Sequence, residues 1–381
     1  MEPDGVCYAQ AAPYTEYDTD DRSLRPKCWP AMHSDHEIPP ISNAIESFIT
    51  LEQFILEQED RFPHSTGAFS RLLRDLSVAA KIINRNIRRA GLLDIVGEVG
   101  TVNVQGEMQK KLDVIAEREI ERALRKGGEC CLIGSEEQPE TIPINQNRET
   151  KERYAIFFDP LDGSSNTDVN ASVGTIFSIY HLPEEYEPSH VLDVALQPGT
   201  QQVAAGYVAY GSSTMFVYTT GDGVNGFTLD PSIGEFLLSH PNLRIPSTPQ
   251  MYSINEADFD DFDAPLQAYL RWLKSRNPET GERIRSRYIG AFVSDFHRNL
   301  LTGGIYMYPA TAASPKGKLR LMYEANPMAL IVEQAGGAAS TGAKRILDLE
   351  PTDLHQRVPL FIGSRPLVEK AEAFLRGEGE A

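Results

Sequence analysis

Cysteine is scarce in this chain: four in 381 residues, at positions 7, 28, 130 and 131. Spacing so uneven excludes the disulfide framework that holds small secreted domains together. The adjacent pair falls in a predicted strand, where neighbouring side chains point to opposite faces. Long apolar runs are missing too, and no stretch of about 18 apolar residues could span a bilayer. Positive charge is thin, with 36 Lys and Arg against 54 Asp and Glu for a formal net charge of −18. That balance argues against nucleic acid as the main partner, because phosphate backbones are held by clustered Lys and Arg. It leaves a small phosphorylated substrate open, since a bound metal ion inverts the local field. The amino-terminal stretch carries Glu2, Asp4, Glu16, Asp18, Asp20 and Asp21. A secretory signal needs a basic start and an apolar core, and a transit peptide is poor in acids. A reduced, cytoplasmic protein is the expectation. No repeat at solenoid spacing is visible.

What is present suits a large soluble fold. Hydrophobic residues make up 41% and charged residues 24%, enough for two domains with buried cores. Residues 1–40 mix Pro, Asp, Tyr and His without period and read as a disordered extension. Residues 41–243 and 244–381 read as two domains, with Pro-rich 241–249 as the seam. Phe69, Leu72, Leu73, Leu76, Ala80 and Ile83 recur at helical spacing after Thr66, a suitable N-cap, and Gly91 is the expected stop. A second helix is predicted from about Met108 to Lys126. The period then changes to strands: 130–133, 154–158, 173–182, two within 202–220 and a hairpin over 226–238. Beyond the seam come helices near 264–275, 293–302 and 327–335, strands near 304–308 and 319–323, and a last strand and helix. The fold class is mixed α/β (α+β) with layered sheets.

Acidic residues cluster where predicted strands end, which is where ligands of α/β folds bind. Glu136 and Glu137 close one strand. In "FFDPLDGSSN" (157–166), Asp159 and Asp162 close the next. Hard divalent cations take carboxylate oxygens. An Asp-Pro-x-Asp turn fixed by Pro160 brings two carboxylates onto one or two ions, with the Leu161 carbonyl as a further ligand. Gly163 lets a phosphate approach the backbone, and the amides of Gly163 and Ser164 are natural donors to it. Read alone, the same residues also describe an Asx-type turn with an N-cap.

"FDPLDGSSN", with "SEE" upstream and "YEANPMALIVEQAGG" (323–337) downstream, closely resembles the class I fructose-1,6-bisphosphatase family of the wider inositol-monophosphatase superfamily. "NVQGEMQKKLD" (103–113), "AAGYVAYGSSTM" (204–215), "YSINE" (252–256), "SRYIGAFVSDFHRNL" (286–300), "SPKGKLRLMYE" (314–324) and "DLHQR" (353–357) follow in the family's order. The resemblance runs from about Thr50 to the C-terminus. It implies a layered α-β-α-β-α sugar phosphatase fold, a homotetramer, and metal-dependent hydrolysis of the 1-phosphate of fructose 1,6-bisphosphate to fructose 6-phosphate. Glu136, Asp159, Leu161, Asp162 and Glu324 match the ligands of two or more Mg²⁺ ions, with Mn²⁺ as a substitute. Glu137 matches the residue that activates the attacking water, and Glu107 and Asp113 match acidic positions near that water and a further metal. Glu107 stands where Asp is usual. Gly163, Ser164 and Ser165 match the phosphoryl cradle. Asn255, Arg287, Tyr288, Tyr308 and Lys318 match the grip on the sugar and its distal phosphate, the arginine coming from a neighbouring subunit. Arg320 suits a structural salt bridge as well as substrate contact, and His297 and His355 suit packing or hydrogen bonding. The family's inhibitory AMP site matches Thr66, Gly67, Ala68, Ser70, Arg153, Tyr154 and His181, but Ala68, Ser70 and His181 depart from the usual Glu, Thr and Arg. Sedoheptulose 1,7-bisphosphate is the alternative substrate, alone or as a dual activity. An inositol phosphate and a non-catalytic sugar-phosphate sensor are more remote rivals.

Overall fold

The computed structural model describes residues 48–59, 67–93, 95–102, 108–144, 153–183, 191–276 and 283–379. The predicted extension, Thr66 and Glu107 lie outside these residues. The helices are α1 (Leu51–Glu59), α2 (Ala68–Ile87), α3 (Lys111–Gly127), α4 (Val191–Ala195), α5 (Ala264–Lys274), α6 (Phe292–Thr302), α7 (Asn326–Gln334) and α8 (Arg365–Leu375). The strands are β1 (Glu98–Val102), β2 (Met108–Lys110), β3 (Cys130–Ser135), β4 (Ile142–Pro143), β5 (Tyr154–Asp162), β6 (Val173–His181), β7 (Gln202–Tyr210), β8 (Thr214–Thr219) and β9 (Asn225–Asp230). They continue with β10 (Glu235–His240), β11 (Met251–Ser253), β12 (Arg285–Ser286), β13 (Gly304–Tyr308), β14 (Leu319–Arg320), β15 (Ala338–Ser340), β16 (Arg357–Val358) and β17 (Leu360–Gly363). Among the described residues no helix is long and apolar enough to cross a membrane.

Two sheets carry the fold: an eight-stranded one in the order β10-β9-β8-β7-β6-β5-β3-β4, and a five-stranded one in the order β12-β11-β13-β17-β15. Leu72, Leu73, Leu76 and Ile83 of α2 and Leu112, Ala116, Ile120 and Leu124 of α3 bury one face of the large sheet, against Ile133, Ile156, Phe158 and Phe177. The other face meets α6 and α7, through Ile176, Tyr207 and Val217 against Phe292, Phe296, Met328 and Ile331. The same two helices cover Tyr306 and Ile362 of the small sheet. Its far face packs on α5 and α8, through Ile305, Met307 and Phe361 against Tyr269, Leu270, Val368 and Phe374. The layers therefore run α-β-α-β-α. Cys130 and Cys131 fall in different cores, as alternation along a strand requires.

Four elements differ from expectation. The helix expected behind Thr66 starts at Ala68 on Gly67, whose φ of 72° is left-handed and which offers no capping side chain, and it stops at Ile87 rather than near Gly91. The second helix starts at Lys111, because Met108–Lys110 pairs with β1 and Asp113 takes the Lys110 amide at 2.8 Å to close the first turn. The Asp-Pro-x-Asp segment is not a turn: β5 runs through it to Asp162, with a slip in register against β6 between Asp159 and Asp162. Pro160 has no N–H for the ladder, and the next amide, Leu161, turns to Asp159 Oδ1 at 2.9 Å, so the strand bulges instead of ending. The strand expected over 319–323 is only Leu319–Arg320, and Leu321–Ala325 winds as a π-helical turn into α7.

Gly134 on β3 is placed for contact rather than flexibility. A Cβ there would lie 2.4 Å from Phe157 Cδ1 and 2.8 Å from Leu354 Cδ1. Gly134→Ala should therefore cost about 2 kcal/mol in denaturant unfolding. Gly91→Ala, whose methyl would meet nothing within 4 Å, should stay within about 0.5 kcal/mol. Equal effects of the two would contradict this packing.

Candidate active site

The site is assembled where strands of the large sheet end. β3 and β5 are parallel neighbours, Ser135 standing opposite Phe158. The amide of Glu136 donates to the Phe158 carbonyl at 3.2 Å. Parallel pairing thus delivers Glu136 and Asp159 to the same edge. The turn over 321–325 brings Glu324, the start of α3 brings Asp113, and the end of β13 brings Tyr308. Glu136, Glu137, Asp113, Asp159, Leu161, Asp162, Gly163, Ser164, Ser165, Tyr308, Lys318 and Glu324 all line one cleft of about 470 Å³.

Asp162 holds the cleft together. Its Oδ1 accepts from the Phe292 amide at 3.0 Å and its Oδ2 from Val293 at 2.7 Å. Those are the first amides of α6, whose own N-cap, Ala291, offers no side chain. A carboxylate from one sheet edge therefore caps a helix far along the chain. The approach is close enough to need a glycine next door: Gly163 has φ 72°, and a Cβ there would lie 2.4 Å from Ala291 Cβ. A short 3₁₀ segment, Ser164–Val169, follows.

The other carboxylates have partners of their own. Arg320 contacts Glu136 directly and reaches Glu324 Oε2 at 3.6 Å through its other guanidinium nitrogen, while its amide donates to the same oxygen at 2.7 Å. Arg320 thus forms a buried ion pair with both carboxylates, and it also lines the cleft. Gln109 Nε2 donates to Glu137 Oε2 at 2.7 Å, and the Glu137 amide donates to Ser135 Oγ at 3.3 Å. Lys110 lines the cleft but binds Asp168 at 3.0 Å and Glu98 at 3.4 Å. Lys318 stands over the Tyr308 ring with Nζ 5.7 Å from its centroid.

Burial sets the electrostatics. Glu136, Asp159, Asp162 and Glu324 are all at least 90% buried. Burial, and then repulsion by Asp162 and Glu324, pushes the Asp159 carboxyl well above the usual range. Burial pushes Asp162 up to about 7 against the lowering by the Val293 and Phe292 amides, and Asp113 to about 7 against the Lys110 amide. Oxygen donors crowded in this way, destabilised by their own charge, suit a hard divalent cation. Among the described residues no three His, Cys, Asp or Glu side chains close on one point. Arg320 lies between Glu136 and Glu324, and a Mg²⁺-type ion that keeps several waters needs only one or two carboxylates at a time. The residues fit such an ion.

Asn255, Arg287 and Tyr288 are not among the residues lining the cleft. Asn255 instead accepts from the Ala257 amide and donates to Asp258, and the Arg287 side chain is exposed and donates to the Ser286 carbonyl. Ser70 and Tyr154 line a separate cavity of about 260 Å³ with Phe54, Phe69 and Tyr218, where the Ser70 hydroxyl donates to Glu59 at 2.6 Å. Gly67 caps α2, Ala68 is buried, Arg153 precedes β5, and His181 is exposed with its ring edge-on to Tyr154 at 5.5 Å. Cleft residues that sequence reasoning did not place are Lys110, Gly290, Tyr306 and Leu319. Glu117 was also missed, although it follows Asp113 by four residues on α3 and so shares its face. It is buried, and accepts from Ser135 Oγ at 2.5 Å.

Two family profiles match the chain: "Fructose-1-6-bisphosphatase, N-terminal domain" over residues 49–241 and "Fructose-1-6-bisphosphatase, C-terminal domain" over residues 245–376. The chain is 72% identical to "Fructose-1,6-bisphosphatase class 1 1" of Salinibacter ruber, over 91% of this chain and 98% of that protein. It is 57% identical to "Fructose-1,6-bisphosphatase class 1" of Cytophaga hutchinsonii, over 86% of this chain and 94% of that protein. Among solved structures it resembles Leishmania major fructose-1,6-bisphosphatase in its holo form, with TM-score 0.80 and 43% identity over 86% of this chain and 98% of that one. The T-state of the same enzyme gives TM-score 0.77 at 43% identity, with the same coverage.

Burial raises the Glu117 carboxyl from 4.5 to about 7, against the lowering by Ser135. The folded state therefore holds this proton more tightly than the unfolded chain. The stabilisation is full below pH 4.5 and is lost as pH rises through about 7. Glu117→Gln should remove a decline of roughly 3 kcal/mol in the metal-free protein over that window. Unfolding curves at a series of pH values check this, and an unchanged pH dependence would contradict it.

Proposed function

The chain belongs to the fructose-1,6-bisphosphatase family, and we propose that it hydrolyses the 1-phosphate of fructose 1,6-bisphosphate, giving fructose 6-phosphate and phosphate. The observation that carries this reading is the cleft itself. Buried carboxylates from two parallel strands and the 321–325 turn line one cleft with Gly163, Ser164, Tyr308 and Lys318. Glu136, Asp159, Asp162, Glu324 and the Leu161 carbonyl would hold the metal, Mg²⁺ with Mn²⁺ as substitute, two or more ions per subunit. When bound, the divalent ions offset the phosphoryl charge and make a bound water more acidic. Glu137, held by Gln109, is the base that would orient the attacking water and take its proton, aided by Asp113 and Glu107. Gly163, Ser164 and Ser165, which line the cleft beside Asp162, seat the phosphoryl group.

Tyr308 and Lys318 hold the sugar and its distal phosphate, the ammonium as a point charge. Asn255, Tyr288 and an Arg287 from a neighbouring subunit complete this grip in a homotetramer. The exposure of Tyr288 and Ile289, 37% and 41%, supports a protein contact there. The two domains are residues 41–243 and 244–381, and the change of family profile between 241 and 245 supports that boundary.

Phosphate release from fructose 1,6-bisphosphate, sedoheptulose 1,7-bisphosphate and inositol 1-phosphate should be followed with Mg²⁺ and with a chelator. The fructose substrate should be the preferred one, with release abolished by the chelator and by Asp159→Asn. No release from any of the three by folded, Mg²⁺-supplied protein would overturn the proposal. Glu137→Gln should lower kcat by about 100-fold or more while KM holds. Lys318→Gln should raise KM by about 10-fold or more while kcat holds, since it removes a charged partner of the distal phosphate. A fall in kcat alone for Lys318→Gln would assign that lysine to the reacting phosphate instead.

A further inference from the structure

His355 has no part in the roles above, yet it joins the two segments that carry the cleft's carboxylates. Its Nδ1 lies 2.7 Å from the Tyr323 hydroxyl, and its Nε2 lies 2.9 Å from the Gln138 carbonyl. A carbonyl only accepts, so Nε2 carries the proton, and bare Nδ1 accepts from the Tyr323 hydroxyl. Burial holds the imidazole below its ordinary pKa, so the neutral form that this arrangement needs is the one present at neutral pH. Gln138 follows Glu136 and Glu137, and Tyr323 precedes Glu324.

The segment beneath the ring is tied down by hydrogen bonds and packing. The His355 amide donates to Asp353 Oδ1 at 2.7 Å, and the Leu321 amide donates to the Gln356 carbonyl at 2.7 Å. Arg357 pairs with Arg320 in the β14–β16 ladder. Leu354 is buried with Phe157, Met322 and Tyr323. The Tyr323 ring is itself fully buried and meets the imidazole edge-on, centroids 5.9 Å apart.

Glu136 and Glu324 are also tied directly, through Arg320. A cation bound by those carboxylates competes with that tie. The tie through His355 uses a main-chain carbonyl and a phenol, neither of which is among the carboxylates that would bind a cation. We infer that His355 is a positioning residue for the metal-binding carboxylates: it clamps the 136–138 loop to the 321–325 turn and holds Glu136 and Glu324 at a binding separation. The inference rests on the metal-site reading given above. Groups that orient metal ligands from behind act on affinity by about 10-fold to 100-fold.

The test is Mn²⁺ binding to the intact, substrate-free protein, read from the electron paramagnetic resonance of free Mn²⁺. Wild type, Asp159→Asn, Tyr323→Phe, His355→Gln and the Tyr323→Phe/His355→Gln double variant are compared, each with its melting temperature. Tyr323→Phe removes one hydroxyl from a ring whose shape is kept, so it carries the test even where His355→Gln fails to fold. The clamp predicts binding about 10-fold weaker in Tyr323→Phe and at least as weak in His355→Gln. The double variant should be no weaker than His355→Gln alone, because the pair acts through one hydrogen bond. The Mg²⁺ concentration for half-maximal activity should rise in step while KM for the sugar bisphosphate stays within about two-fold. Mn²⁺ affinity unchanged in both variants, with Asp159→Asn losing it, would overturn the clamp and leave the metal site standing. Binding that Asp159→Asn leaves intact would overturn the metal-site reading and the clamp with it.

Discussion

Asp159 and Asp162 are buried within three residues of each other, with Glu136 and Glu324 at the same sheet edge. Holding that much negative charge out of water is the constraint to which the rest of the cleft responds. The responses are visible in order of distance. The first amides of α6 turn to Asp162, the Leu161 amide turns to Asp159, and Arg320 lies between Glu136 and Glu324. Each supplies partial or full positive charge, and none reaches the whole group. A divalent cation would supply what remains, and an oxygen-only donor set suits a hard one.

The same constraint explains the architecture. A carboxylate that caps α6 fixes that helix, packed between the two sheets, to the edge of the large one. Gly163 has to be glycine because the strand end and the helix start are in contact. β3 and β5 have to be parallel neighbours because only then do Glu136 and Asp159 leave the sheet at one edge. The 321–325 turn winds as a π-helix, which lets Glu324 reach the Arg320 amide and still face the cleft. Stability and function draw on the same residues here.

Much of this was legible in the sequence because periodicity reports burial. The apolar positions of α2 and β13, and the all-buried run of β5, were readable to within a few residues. "FDPLDGSSN" was readable as a site because its carboxylates close a strand. What it does locally was not: Asp-Pro-x-Asp reads as a turn, and only pairing with β6 keeps it extended with a bulge. The capping of α6 by Asp162 joins residues 130 apart and leaves no local signal. Arg320 sat between apolar neighbours, which fits burial but does not name a partner. Glu117 shares a helix face with Asp113, a spacing that could have revealed it. Asn255, Arg287 and Tyr288 matched a pattern of residue types, and the cleft of a single chain does not include them.

The central claim is that the buried carboxylates require a cation. The direct measurement is the melting temperature of chelator-treated protein as Mg²⁺ is added back, with Asp159→Asn beside it. The account predicts a rise with Mg²⁺ concentration, because the ion binds the folded state, and no such rise in the variant. A melting temperature that ignores Mg²⁺, or rises equally in both proteins, would contradict it.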